Sequence, residues 1–138
     1  MSIWDLEITM ARRVLALSAV AVWGGLILIV TRHPIWSGFG VEMILWGSLY
    51  AALAMFVRRR AQAWSRKADT ELWRAREKKL LSNFLWLAII FSIVCVIAGL
   101  ALALLLGSKN LAIQGHGWGI AAQATFIFVI NLLHTQMI

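Results

Sequence analysis

The chain has 138 residues, of which 62% are hydrophobic, and it carries a formal net charge of +7. Soluble domains are roughly 45–50% apolar, so this composition excludes an ordinary soluble fold, and the length leaves room for one domain. The single cysteine, Cys95, excludes an internal disulfide and a two-cysteine redox relay.

The N-terminal third predicts a first transmembrane span over residues 14–30, directly after Arg12 and Arg13. Residues 1–11 are acidic where a signal peptide would be basic, so we expect no cleavable signal but a short helix at the membrane interface. The adjacent Gly24 and Gly25 lie within the span. Small residues there allow a neighbouring backbone to approach closely.

Residues 31–40 (TRHPIWSGFG) predict a break in helical structure, because Pro34, Gly38 and Gly40 favour turns. A second span is predicted over residues 41–57. It ends abruptly at three consecutive arginines, 58–60.

Residues 58–83 form a basic connector with nine Lys/Arg residues and three acidic ones. Its composition favours helix. Apolar residues recur at steps of three and four, which predicts a helical hairpin or an amphipathic piece on anionic lipid: Trp64, Ala68, Leu72 and Ala75. Because these charges flank predicted spans, we expect no nucleic-acid partner.

The third span, residues 84–106, contains no charged residue, and about 20 such residues cross a bilayer. A loop is predicted over 108–117 and a fourth span over 118–133. The sequence therefore predicts an all-α integral membrane protein with four transmembrane helices in two hairpins.

Basic residues are distributed unequally between the two ends of these spans. Eleven lie on the side that holds both termini and the connector, and only Arg32 and Lys109 lie on the other. The positive-inside rule then predicts a multi-pass protein of the inner (plasma) membrane with both termini cytoplasmic. The bias also argues against dual-topology exporters and fluoride channels.

Each predicted hairpin has a glycine-rich outer turn followed by a polar residue, which indicates a weak parallel repeat. Gly38 precedes Glu42 by four residues and Gly119 precedes Gln123 by four, so we expect both polar residues at one membrane depth. The motifs W-x-G-F-G-x-E-x-x-x-W-G (36–47) and G-H-G-W-G-I-x-x-Q (115–123), with a terminal His134, resemble an uncharacterised family of small bacterial four-helix membrane proteins. That resemblance implies a fold and a bacterial origin, and no activity.

Glu42 is the main candidate for a functional residue, because a carboxylate within a span is costly and usually faces a cavity or a partner. It could instead be a helix-start glutamate, solvated or paired with Arg32. In the functional interpretation, an outer-leaflet pocket is lined by residues of spans two and four: Glu42, Trp46, Tyr50, His116 and Gln123.

The three histidines raise the alternative of a cofactor. His33 and His116 fall at the outer ends of spans one and four, where an imidazole could hold haem or chlorophyll. His134 lies 18 residues after His116, at the opposite membrane face. The sequence has no C-x-x-C-H motif, and we predict no cofactor and no metal site.

We expect a non-enzymatic protein, because no catalytic constellation is present. The first hypothesis is a structural or accessory subunit of an oligomer or a larger membrane complex. The alternative is a small-molecule binding or transport protein that uses the outer-leaflet pocket. The third is a haem or pigment carrier.

Overall fold

A computed structural model describes residues 2–65 and 71–138, and these residues form four long helices. The last turns of the third helix continue as a π-helical turn, Leu102–Leu106, and a 3-10 turn, Gly107–Lys109. The helices are α1 (Ile3–Val30), α2 (Pro34–Ser65), α3 (Glu71–Ala101) and α4 (Leu111–Thr135). Each contains a segment long and apolar enough to cross a membrane.

Helix α1 is continuous, so the short interfacial helix expected over residues 1–11 is its first part. Ser2 caps it: the Asp5 N–H donates to Ser2 Oγ at 3.2 Å, and the Ser2 N–H donates back to the Asp5 carboxylate. No proline or glycine interrupts the chain before the predicted span. The interfacial and apolar parts therefore form one rigid rod.

Both predicted outer loops are much shorter than expected, and in this respect the prediction was wrong. Only residues 31–33 separate α1 from α2, and Arg32 makes the turn with a positive φ of 57°. Pro34 is the first residue of α2, where its fixed φ and missing N–H suit a helix start. At the other turn, the Asn110 side chain accepts hydrogen bonds from the N–H groups of Ala112 and Ile113 and starts α4.

The helices pack in the order α1–α2–α4–α3, as two antiparallel hairpins joined through α2 and α4. Helices α1 and α3 meet where Leu6 packs with Leu81 and Leu85, near Ile138. This end, which holds the described parts of the connector and of both termini, is here the connector end. The opposite end, with the two short turns, is the loop end.

Nine of the ten glycines are buried at helix contacts within the chain, and Gly24 is half-buried. A Cβ atom on Gly25 would lie 2.5 Å from the carbonyl oxygen of Gly40, and one on Gly40 would lie 2.6 Å from the oxygen of Gly25. Between α2 and α4, a Cβ atom on Gly38 would lie 2.7 Å from the oxygen of Ala112. The expectation that glycines let helices approach closely at this end is confirmed.

The connector begins as the end of α2 and finishes as the start of α3. The rings of Trp64 and Trp73 lie 5.3 Å apart across these two helices, as a helical hairpin would place them. Ala68, part of the predicted apolar pattern, lies outside the described residues. Many large apolar side chains along the helices face outward, and Trp23 is 69% exposed.

Candidate functional site

Glu42 on α2 joins two partners into a polar cluster near the loop end. His116 Nδ1 on α4 lies 2.7 Å from Glu42 Oε1, and Trp46 Nε1 donates to Glu42 Oε2 at 3.1 Å. A Cβ atom on Gly119 would lie 2.7 Å from the Glu42 Cβ, so glycine gives α4 room to pass over this side chain. Both carboxylate oxygens are thus engaged within the chain, and the partner across the helix contact is His116 rather than Arg32.

Tyr50 extends the same face of α2. Its ring stacks on that of Trp46 with 5.8 Å between centroids. Glu42, Trp46 and Tyr50 therefore share one helix face, as their four-residue spacing predicts.

Gln123 lies apart from the polar cluster, and the expected shared depth of Glu42 and Gln123 is wrong. Helices α2 and α4 both run from the loop end to the connector end, and Glu42 is level with His116. Gln123 follows His116 by seven residues, about 10 Å along the helix. Gln123 is therefore level with Tyr50, which follows Glu42 by eight residues.

Tyr50 and Gln123 line a cavity of about 100 Å³ between α1, α2 and α4. Its walls are otherwise largely apolar, with Ser18, Met43 and Phe126 among them. Gln123 is only 8% exposed, and within the described residues its side-chain amide makes no hydrogen bond. The five predicted site residues thus fall into two groups. Glu42, Trp46 and His116 are hydrogen-bonded to one another, whereas Tyr50 and Gln123 line a separate cavity nearer the connector end. The Gln123 amide has no hydrogen-bond partner among the described residues.

The histidines occupy three different settings. His33 is exposed in the turn before α2, and His116 is held by Glu42. His134 is buried at the connector end, where its Nδ1 lies 2.7 Å from the Ile130 carbonyl oxygen. Across the described ranges, no three His, Cys, Asp or Glu side chains are grouped as a metal would require. That the chain holds no cofactor stays a prediction, with haem or chlorophyll on His33 or His116 as its alternative.

A second polar cluster, not anticipated from the sequence, lies at the connector end. Arg60 Nη2 on α2 is 2.5 Å from Glu77 Oε1 on α3. Glu7, on the part of α1 that precedes residues 14–30, is 3% exposed, and its Oε2 atom has no hydrogen-bond partner. Burial, followed by the negative charge of Glu77, raises the pKa of Glu7 to about 7, although Arg60 opposes the shift.

The Glu42 cluster supports a first testable prediction about helix packing. We expect Glu42→Ala to destabilise the bundle by about 1–3 kcal/mol, because it leaves the His116 ring and the Trp46 N–H without their acceptor. Trp46→Phe, which removes one donor, should cost less. A double-mutant cycle of Glu42→Ala and His116→Ala, followed by thermal unfolding in detergent, measures the coupling. Strictly additive effects would show that the pair does not hold α2 to α4.

The chain matches a known protein family over most of its length. The model of a family of unknown function, DUF6992, matches residues 13–132. The resemblance to an uncharacterised family is thereby confirmed. No curated protein and no solved structure matches the chain significantly.

Proposed function

Because the chain belongs to DUF6992, a family of unknown function that brings no activity with it, we propose a function from the geometry of the helices. The protein is a non-enzymatic integral membrane protein that acts as a structural or accessory subunit of an oligomer or a larger membrane complex. It is a multi-pass protein of the bacterial inner membrane with both termini cytoplasmic. Anionic lipid binds at its basic connector.

The cavity beside Gln123 is the observation that carries this proposal. Inside a bilayer no water satisfies an unpaired amide, so such a group is costly unless another protein group binds it. The walls around Gln123 supply no partner among the described residues. A volume of about 100 Å³ suits one inserted side chain of a neighbouring subunit. A neighbouring subunit that packs a helix over this opening would supply a hydrogen-bond partner for the Gln123 amide.

The distribution of charge supports the orientation. Among the described residues, nine basic ones lie at the connector end and two at the loop end. Juxtamembrane clusters of Lys and Arg are retained on the cytoplasmic side and attract anionic lipid. The glycine contacts give no such support for an oligomer, because Gly25 and Gly40 are already packed within one chain.

The same cavity favours a second candidate function, the binding or transport of a small molecule. Apolar walls with one or two polar groups are typical of small-ligand sites. Here the Gln123 amide and the Tyr50 hydroxyl would orient the ligand. The self-paired Glu42, Trp46 and His116 would support the helices around that site rather than bind the ligand.

Replacing Gln123 tests the proposal. We expect the protein, extracted in mild detergent, to give a defined oligomer or a stable complex by native mass spectrometry, and Gln123→Leu to convert most of it to monomer. The matched control is Thr125→Val, because the Thr125 hydroxyl already donates to the Ala121 carbonyl oxygen at 2.8 Å. That variant should assemble normally.

Three other outcomes are informative. A wild-type protein that is monomeric in both detergent and lipid nanodiscs would contradict the subunit proposal. A monomer carrying a small-molecule adduct that Gln123→Leu removes would favour the second candidate. Equal loss of assembly in Thr125→Val would show that the cavity is not the contact.

A further inference from the structure

A groove of about 550 Å³ lies at the connector end, between the start of α3 and the C-terminus of α4. Lys78 and Lys79 line its rim, and Ser82 and Asn83 lie one turn further along α3. Gln136 lines the facing wall, at the end of α4. None of the described residues that line this groove is acidic.

The polar groups of this groove are free to bind a ligand. Within the described residues, neither lysine forms an ion pair, and the side chains of Ser82, Asn83 and Gln136 make no hydrogen bonds. The C-terminus of α4 contributes a partial negative charge of about one half. Two ammonium groups outweigh it, so the groove favours an anion.

The position of the groove along α3 indicates which anion it binds. Trp86 lines the groove, and the chain from Phe84 to Leu106 carries no charge. Tryptophan is enriched at the level of lipid headgroups, so Lys78 and Lys79 lie where headgroup phosphates lie. This step rests on the proposed membrane location of the protein.

An exposed apolar stripe continues from the groove along the same face of α3. Lys78, Ser82 and Trp86 are spaced by four residues, and Ile90 and Val94 continue that spacing. Trp86, Ile90 and Val94 are all more than half exposed. The stripe would contact the acyl chain of a lipid whose headgroup lies in the groove. A free phosphate has no acyl chain and would make no contact with the stripe.

We infer that this groove is a specific site for an anionic phospholipid, with the headgroup phosphate on Lys78 and Lys79 and an acyl chain along Trp86, Ile90 and Val94. Ser82, Asn83 and Gln136 donate further hydrogen bonds to the headgroup. The site is distinct from diffuse attraction by the whole connector, because it depends on two lysines among many basic residues.

Native mass spectrometry of the full chain with added lipid tests this site. We expect phosphatidylglycerol to bind about one molecule per chain more tightly than phosphatidylcholine does. Lys78→Gln with Lys79→Gln should weaken it about tenfold or more, since each lysine contributes separately to anionic-lipid binding. The matched control is Arg12→Gln with Arg59→Gln, two exposed arginines at the same end, which should leave the site occupied. Lys78→Arg with Lys79→Arg should retain binding.

Several results would overturn the inference. Equal weakening by the lysine and arginine pairs would mean diffuse attraction, and equal affinity for both lipids would mean no headgroup site. Soluble glycerol 3-phosphate that binds as tightly as the lipid would show a free-phosphate site. The proposed function has a separate test, because it is contradicted if alkaline carbonate extracts the protein from membranes. If the protein is integral and assembled but the lysine substitutions leave its affinity for phosphatidylglycerol unchanged, only the lipid site is contradicted.

Discussion

One methyl group added at Gly25 is expected to force α1 and α2 apart. The Cβ atom of Gly25→Ala would lie 2.5 Å from the Gly40 carbonyl oxygen and 2.8 Å from Ile44 Cγ1. A backbone oxygen inside a helix cannot move away alone, so the helices must separate. Overpacking costs about 1–3 kcal/mol, against about 1 kcal/mol gained from the better helix propensity of alanine. We expect a clear net fall in apparent Tm in detergent.

The neighbouring residue provides a matched control. A Cβ atom on Gly24 would meet only the Cε atom of Met43, at 3.0 Å, which is the flexible end of a side chain. Gly24→Ala should therefore leave the apparent Tm unchanged or raise it. Equal loss of stability in both variants would show that the Gly25–Gly40 contact does not hold the hairpin together.

The same glycines explain why the outer turns were predicted too long. Glycine is typical both of turns and of close helix contacts, and a sequence pattern does not distinguish them. Gly38 and Gly40 lie inside α2. Helix α4 passes Gly38 and helix α1 passes Gly40, each too closely to leave room for a Cβ atom. The four apolar helices, by contrast, could be predicted well, since long uncharged segments have few other solutions.

The candidate site could be predicted along one helix but not between helices. Four-residue spacing correctly placed Glu42, Trp46 and Tyr50 on one face. The repeat predicted that Gln123 and Glu42 lie at the same depth, whereas the packing of α2 against α4 places His116 level with Glu42. The register between two helices depends on which glycines pack together, and the spacing of residues along one helix does not specify those tertiary contacts. For the same reason the Glu7, Arg60 and Glu77 cluster, drawn from three helices, had no local signal.

Raising the pH from 5 to 8 is expected to weaken the connector end, because Glu7 holds its proton more tightly in the folded chain than in the unfolded one. Burial and then the negative charge of Glu77 on α3 raise the pKa of Glu7 from 4.5 to about 7, while Arg60 on α2 acts in the opposite direction. Above pH 4.5 the unfolded chain releases this proton first, so stability falls until about pH 7 and then levels off. Allowing for solvent screening, the loss is about 2 kcal/mol.

Glu7→Gln isolates this effect. A neutral amide stays uncharged at every pH and can donate to the Glu77 carboxylate, so the variant should match the wild type near pH 5 and unfold at a higher temperature near pH 8. Glu71→Gln, which changes an exposed carboxylate in the first turn of α3, should keep the wild-type dependence. Circular-dichroism melts in detergent at closely spaced pH values measure all three proteins. If Glu7→Gln and the wild type kept parallel curves from pH 5 to 8, Glu7 would not be the group that titrates, and the apolar contact of Leu6 with Leu81 and Leu85 would remain as the pH-independent link between α1 and α3.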